Sequence, residues 1–111
     1  MKKINHFING QEYTSKSDRF GDIFNPASGE KIGSVSFANK DDVALAIQNA
    51  SDAQKKWAAT PPLARSRVMF KFKELILRDM DKLALELTNE HGKILSDSVG
   101  SLTRGMEVVE F

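Results

Sequence analysis

Hydrophobic and polar positions along the chain follow two different periods, and the change falls near residue 39. Before it, apolar side chains come in short runs separated by turn residues. Phe7 and Ile8 precede Asn9-Gly10, and Tyr13 follows. Asn-Gly supplies the two positive-φ positions that a type I′ turn requires, so the spacing predicts a first β-hairpin. Residues 14–19, TSKSDR, are polar throughout and read as a loop. FGDIF then leads into FNPASGEKIGSV. There Pro26 suits the second position of a type I turn, and Gly29 accepts a left-handed conformation. Ile32, Val35 and Phe37 form the return strand of a second hairpin, with Gly33 as a weak point or bulge.

From residue 39 the period becomes helical. Asn39 is a good N-cap, and Asp41 and Asp42 favour the first turn of a helix. Val43, Ile47, Ala50 and Trp57 share one face. KKWAATPP ends this helix, with Thr60 capping the next and Pro61 at its first position. Val68, Phe72, Leu75, Ile76 and Leu83 continue an apolar stripe, with a break expected near Asp79-Met80-Asp81 because aspartate prefers caps to helix interiors. Leu87 follows, and Gly92 in EHGK reads as a helix C-cap. Leu95, Val99, Leu102, Met106 and Val109 form a last stripe. Gly100 and Gly105 lie off that stripe, and two glycines inside a helix suggest close packing against something. The stripe reaches almost to Phe111 without a stop signal, so the natural domain is expected to continue.

At 111 residues the chain fits one small domain or a piece of a larger one. Its 41% hydrophobic and 28% charged content is that of a globular protein, which argues against disorder. A formal charge of +1 gives no global attraction to nucleic acid or anionic membrane. Apolar runs are too short to span a bilayer, and MKKINHFING lacks an apolar stretch of signal-peptide length, so a cytoplasmic location is expected. The absence of cysteine excludes disulfides, thiolate catalysis and cysteine-ligated metal within this chain.

Little in the residues points to chemistry. His6 and His91 stand far apart, and neither has a metal-ligand partner at helical spacing. No glycine-rich phosphate loop or nucleophile elbow is present. Arg65, Arg67, Lys71 and Lys73 form a basic cluster that reads as a solvated face, with Phe70 and Phe72 as core. Asp79, Asp81 and Glu86 show no pairing suited to acid–base work. Arg104 is the one candidate binding residue. It lies opposite the last apolar stripe, with Gly100 one turn earlier and Glu107 three residues on. Two readings stay open: an exposed arginine paired with Glu107, or a guanidinium that grips a carboxylate in a bidentate fork.

FINGQ, FNPASGEKIGSV, the acidic-start helix ending in Trp57, PPLARSRVMFKFKELI and LTNEHGK occur in an order that resembles the N-terminal part of the aldehyde dehydrogenase superfamily. WAATPPLARSRVMFKFKELI, EHGKILSDSVGSLTRGMEVVEF and the Thr103-Arg104-Gly105 step look like the CoA-acylating methylmalonate-semialdehyde dehydrogenases within it. The resemblance implies an α+β fragment. Two N-terminal hairpins (residues 1–38) precede three or four helices (39–111), as part of a Rossmann-like NAD-binding domain. It implies a complete enzyme that oxidises malonate or methylmalonate semialdehyde, intermediates of valine and inositol breakdown, with NAD and CoA. That enzyme works through a cysteine thioester and forms a homo-oligomer. It places Arg104 where such enzymes carry a substrate-facing arginine. No catalytic, cofactor-binding or metal residue is expected within residues 1–111, and no binding of NAD or CoA by this chain alone. Two rivals remain: an aldehyde dehydrogenase acting on a neutral aldehyde, and a free-standing helical module whose Leu95–Val109 stripe is a partner surface.

Overall fold

The computed structural model describes residues 2–111. Five strands precede four helices, in agreement with an α+β architecture. The strands are β1 (Lys2–Ile4), β2 (His6–Ile8), β3 (Gln11–Tyr13), β4 (Phe20–Phe24) and β5 (Lys31–Ser36). The helices are α1 (Lys40–Ala59), α2 (Pro62–Arg78), α3 (Met80–His91) and α4 (Leu95–Glu110). The residues form two compact units: Met1–Phe24 with Glu30–Ala59, and Asn25–Gly29 with Thr60–Phe111.

In the first unit both expected hairpins are present. β2 and β3 pair antiparallel across Asn9 (φ 55) and Gly10 (φ 75), the two left-handed positions that Asn-Gly was expected to supply. β4 and β5 also pair antiparallel, with a register irregularity at Ile23/Phe24. β1 was missed by the sequence reading. It joins β5 in parallel, giving the order β1-β5-β4. Lys2-Lys3-Ile4 is too short and too charged to show alternation, and a parallel partner leaves no local turn signal. Its arrival explains Gly33: a Cβ there would come 2.6 Å from the Lys2 carbonyl oxygen, so only glycine admits the third strand.

Asn39 caps α1 as expected, and Asp42 completes a capping box. The Asp42 N–H donates to Asn39 Oδ1 (2.9 Å), and the Asn39 N–H donates to Asp42 Oδ2 (2.8 Å). Asp42, only 2% exposed, also accepts from the Tyr13 hydroxyl (3.0 Å) and the Ser15 hydroxyl (2.5 Å). One carboxylate thereby ties the first hairpin and its following loop to the helix. The Ser15 hydroxyl, then the Asn39 N–H and the Tyr13 hydroxyl, hold the Asp42 carboxyl below its usual range. The same bond to Asp42 raises Tyr13 above the usual phenol value.

The depressed Asp42 value contributes stability that is complete above the unfolded value of about 3.9 and is lost as pH falls through the lower folded value. The raised Tyr13 value contributes stability that is complete below about 10 and is lost as pH climbs through the higher folded value. Thermal unfolding followed by the fluorescence of Trp57 should therefore fall off below about pH 4 and above about pH 10. Asp42→Asn should flatten the acid limb; an unchanged limb would contradict this account. Asn39→Ala should cost about 1 kcal/mol. Asp42→Ala should cost more, since it strands two hydroxyls and an N–H.

In the second unit, α2 begins one residue later than expected. Pro61, not Thr60, is the N-cap, and Pro62 opens the helix. A residue before proline is pushed to extended geometry, and Pro61 accordingly sits at φ −55, ψ 146. The break near Asp79 is present: Asp79 ends α2 and begins α3, with Arg78 donating to both of its carboxylate oxygens (3.0 and 2.7 Å). Gly92 ends α3 in the left-handed conformation (φ 83), its N–H bonded to the Thr88 carbonyl (2.8 Å). Pro26 lies directly over Gly92, where a Cβ would come 2.9 Å from Pro26 Cγ. The Asn25–Gly29 turn closes by a Gly29 N–H to Asn25 carbonyl bond (2.7 Å), one residue longer than a β-turn, with Gly29 at φ 73. Its role in this unit is to cover the end of α3.

Most of the last apolar stripe packs inside this unit, while Leu95 at its start is exposed. α4 packs against α2 and α3, with Met106 at 8% exposure and Val99, Leu102 and Val109 half-buried. The stripe is therefore taken up largely by packing against α2 and α3, which argues against the partner surface of a free-standing module. The innermost side chain of α4 is instead Ser98, whose hydroxyl pairs with that of Thr88 (2.8 Å). Gly105 has no neighbour within 4 Å of a built Cβ, so the close packing expected of the helix glycines is absent there. The expected core faces of the earlier helices are largely open, although Leu75 and Ile76 on α2 are half-buried. Val43, Ile47 (65% exposed) and Trp57 on α1, and Val68, Phe70 (65%) and Phe72 on α2, are exposed; among the described residues the buried hydrophobic side chains are Ala84 and Met106.

Candidate functional site

Arg104 stands on the outer side of α4, and the rotation of that helix puts it there. Ile94 enters the helix in extended geometry (φ −66, ψ 153) and Asp97 occupies the first turn, where a carboxylate suits the dipole. The buried Ser98–Thr88 pair turns Ser98 and Met106 inward, which leaves Arg104 exposed. Its guanidinium donates to Ser101 Oγ one turn back, at 3.4 Å. Among the described residues no ion pair joins it to Glu107, so the simple surface-pair reading fails. Gly100 leaves one flank bare: a Cβ there would reach only ordinary contact with the guanidinium, at 3.7 Å.

A second cation belongs to the same place. Lys93, just after Gly92, donates its Nζ to the same Ser101 Oγ at 2.6 Å. The sequence reading missed Lys93 and Ser101. Their approach depends on Gly92 reversing the chain from α3 into α4, and the only available signal was a lysine directly after a helix-ending glycine. The α2 basic cluster, in contrast, is partly neutralised: Lys71 pairs with Glu74 (2.8 Å), and Lys73 pairs with Glu110. Phe70 and Phe72, expected in the core, are exposed beside it. His6 stacks on the Tyr13 ring at 6.4 Å, and His91 is the last residue of α3. Among the described residues no three histidine or acidic side chains converge as a metal set.

The local geometry does not fit a nicotinamide cofactor. β5 passes into α1 through Phe37-Ala38-Asn39, without the glycines that let a backbone approach a pyrophosphate. The nearby cavity of about 290 Å³ has apolar walls from Phe7, Val43, Ala46 and Ile47 and a carboxylate, Asp42, that would repel phosphate. What the α4 site offers is a cationic surface able to hold an anion.

The profile of the aldehyde dehydrogenase family matches residues 13–111. The chain belongs to the aldehyde dehydrogenase family. Within the family, it is 42% identical over 108 residues to a mitochondrial acylating methylmalonate-semialdehyde dehydrogenase of Arabidopsis thaliana, covering 97% of this chain and 18% of that protein. It is 35% identical to a malonate-semialdehyde dehydrogenase of Bacillus subtilis, covering 100% of this chain and 23% of the relative. Among solved structures, the methylmalonate-semialdehyde dehydrogenase of Oceanimonas doudoroffii superposes with a TM-score of 0.95 at 44% identity, covering 99% of this chain and 22% of that one. A Sinorhizobium meliloti chain assigned to the same enzyme group and solved with NAD gives 0.98 at 46% identity, covering 100% and 23%. The chain thus spans about a fifth of the length of these aldehyde dehydrogenase relatives. No helix among the described residues is long and apolar enough to cross a membrane.

Proposed function

We propose that this chain is the N-terminal segment of a CoA-acylating malonate- or methylmalonate-semialdehyde dehydrogenase. The observation that carries the reading is its close superposition on two solved chains of that enzyme group, over nearly all of its length. The substrate's chemistry supports it. A semialdehyde of this kind carries a carboxylate, and Arg104 presents a guanidinium with no carboxylate partner among the described residues. In this reading residues 1–111 belong to the cofactor domain of a cytoplasmic homo-oligomer that uses NAD and CoA. The cysteine that forms the acyl thioester lies outside them, since this chain has none.

Steady-state assays of the enzyme that contains residues 1–111 test the reading. kcat/KM for malonate semialdehyde should exceed that for propanal by at least about tenfold, the worth of one well-formed ionic hydrogen bond. A preference for propanal would point to the neutral-aldehyde rival. The isolated chain should give no NADH with malonate semialdehyde and CoA, and measurable turnover from it would refute the thioester reading.

A further inference from the structure

The hydrogen bonds around Ser101 are one-sided. Its Oγ accepts from Lys93 at 2.6 Å and from Arg104 at 3.4 Å, which occupies both acceptor lone pairs. Its own hydroxyl proton goes to no other described residue, although helical serines often return it to a carbonyl one turn back. Neither Lys93 nor Arg104 forms an ion pair with a described carboxylate. An ammonium, a hydroxyl and a guanidinium therefore meet with donors to spare and no acceptor among them. Two like charges at one oxygen repel each other, and an anion placed between them removes that repulsion.

We propose that Lys93, Ser101 and Arg104 form one carboxylate site, in which Lys93 supplies a second charge and Ser101 is the positioning residue that holds both cations. This rests on the reading that Arg104 meets the carboxylate of the substrate. The division of labour follows from shape. Arg104 offers a planar fork with fixed direction, whereas Lys93 offers a compact charge that follows the ligand. Ser101 fixes how far apart they stand. Gly100 keeps the approach open beside the guanidinium.

The test is a titration of the full 111-residue chain with malonate, at constant ionic strength, followed by the NMR signals of Arg104 Nε and Lys93 Cε. Acetate and chloride serve as the comparison anions, and far-UV circular dichroism checks that each variant is folded. Both signals should shift and saturate together with malonate. Arg104→Gln should abolish the saturable shift at Lys93. Lys93→Gln and Ser101→Ala should each weaken malonate about three- to fivefold, the range of one partly exposed ionic contact. Ser101→Thr, which keeps the hydroxyl, should restore it. If Lys93→Gln and Ser101→Ala bind as the parent does while Arg104→Gln does not, the three-residue site is overturned and Arg104 stands alone as the carboxylate contact. If Arg104→Gln binds malonate unchanged, the underlying reading of Arg104 fails and takes the site with it. Shifts that match those with chloride and never saturate would show screening without a site, and overturn the proposal.

Discussion

Arg104→Ala, made in the enzyme that contains this segment, is expected to raise KM for malonate semialdehyde by about 10- to 100-fold and leave that for propanal within about twofold. A hydrogen-bonded pair with a charged partner contributes about 1.5–3 kcal/mol, which converts to that range of affinity. The selectivity follows from chemistry: propanal has no carboxylate for the guanidinium to hold. Loss of fold is not a competing cause, because Arg104 is exposed and its one hydrogen bond among the described residues is the 3.4 Å contact to Ser101. Arg104→Lys should recover only part of the loss, since an ammonium keeps the charge but not the fork. Equal losses on both aldehydes would remove the carboxylate from the explanation and favour the neutral-aldehyde rival.

Gly92→Val is expected to give the largest loss of stability, about 2–4 kcal/mol. Two independent costs combine. The backbone there is left-handed (φ 83), a conformation that a β-branched residue adopts only with strain. The added Cβ would also sit 2.9 Å from Pro26 Cγ, in a ring that cannot rotate away. A double-mutant cycle in urea unfolding separates the two. Pro26→Ala should relieve the steric part of the valine cost and leave the backbone part. Gly92→Asn, which tolerates the left-handed region, should be milder than valine. Purely additive losses for Gly92→Val and Pro26→Ala would mean that the turn does not press on the helix end.

The elements that were legible in the sequence are those with local signatures. Asn9-Gly10, Asn39 with Asp42, the Asp79 break and Gly92 each state their geometry within a few residues. The elements that were not legible depend on distant partners. β1 is defined by β5, some thirty residues away, and its own three residues carry no pattern. Helical periodicity located the apolar faces of α1 and α2 correctly as faces, yet Val43, Ile47, Phe70 and Phe72 are exposed. A stripe shows that a helix has an apolar side; it does not say what covers it. On α4 most of the stripe is covered, yet Ser98 rather than a large apolar residue occupies the innermost position. Of the proposed site, Arg104 stood out through its place opposite that stripe, whereas Lys93 and Ser101 became visible only once the chain reversal at Gly92 was known.

The central claim is that these residues belong to an enzyme that passes an acyl group from a carboxylate-bearing semialdehyde to CoA. Mass analysis of the products tests it most directly, with the enzyme that contains residues 1–111 supplied with malonate semialdehyde, NAD and CoA. An acyl-CoA thioester that accumulates in step with NADH is the predicted result. NADH accompanied by free acid alone, with or without CoA, would contradict it.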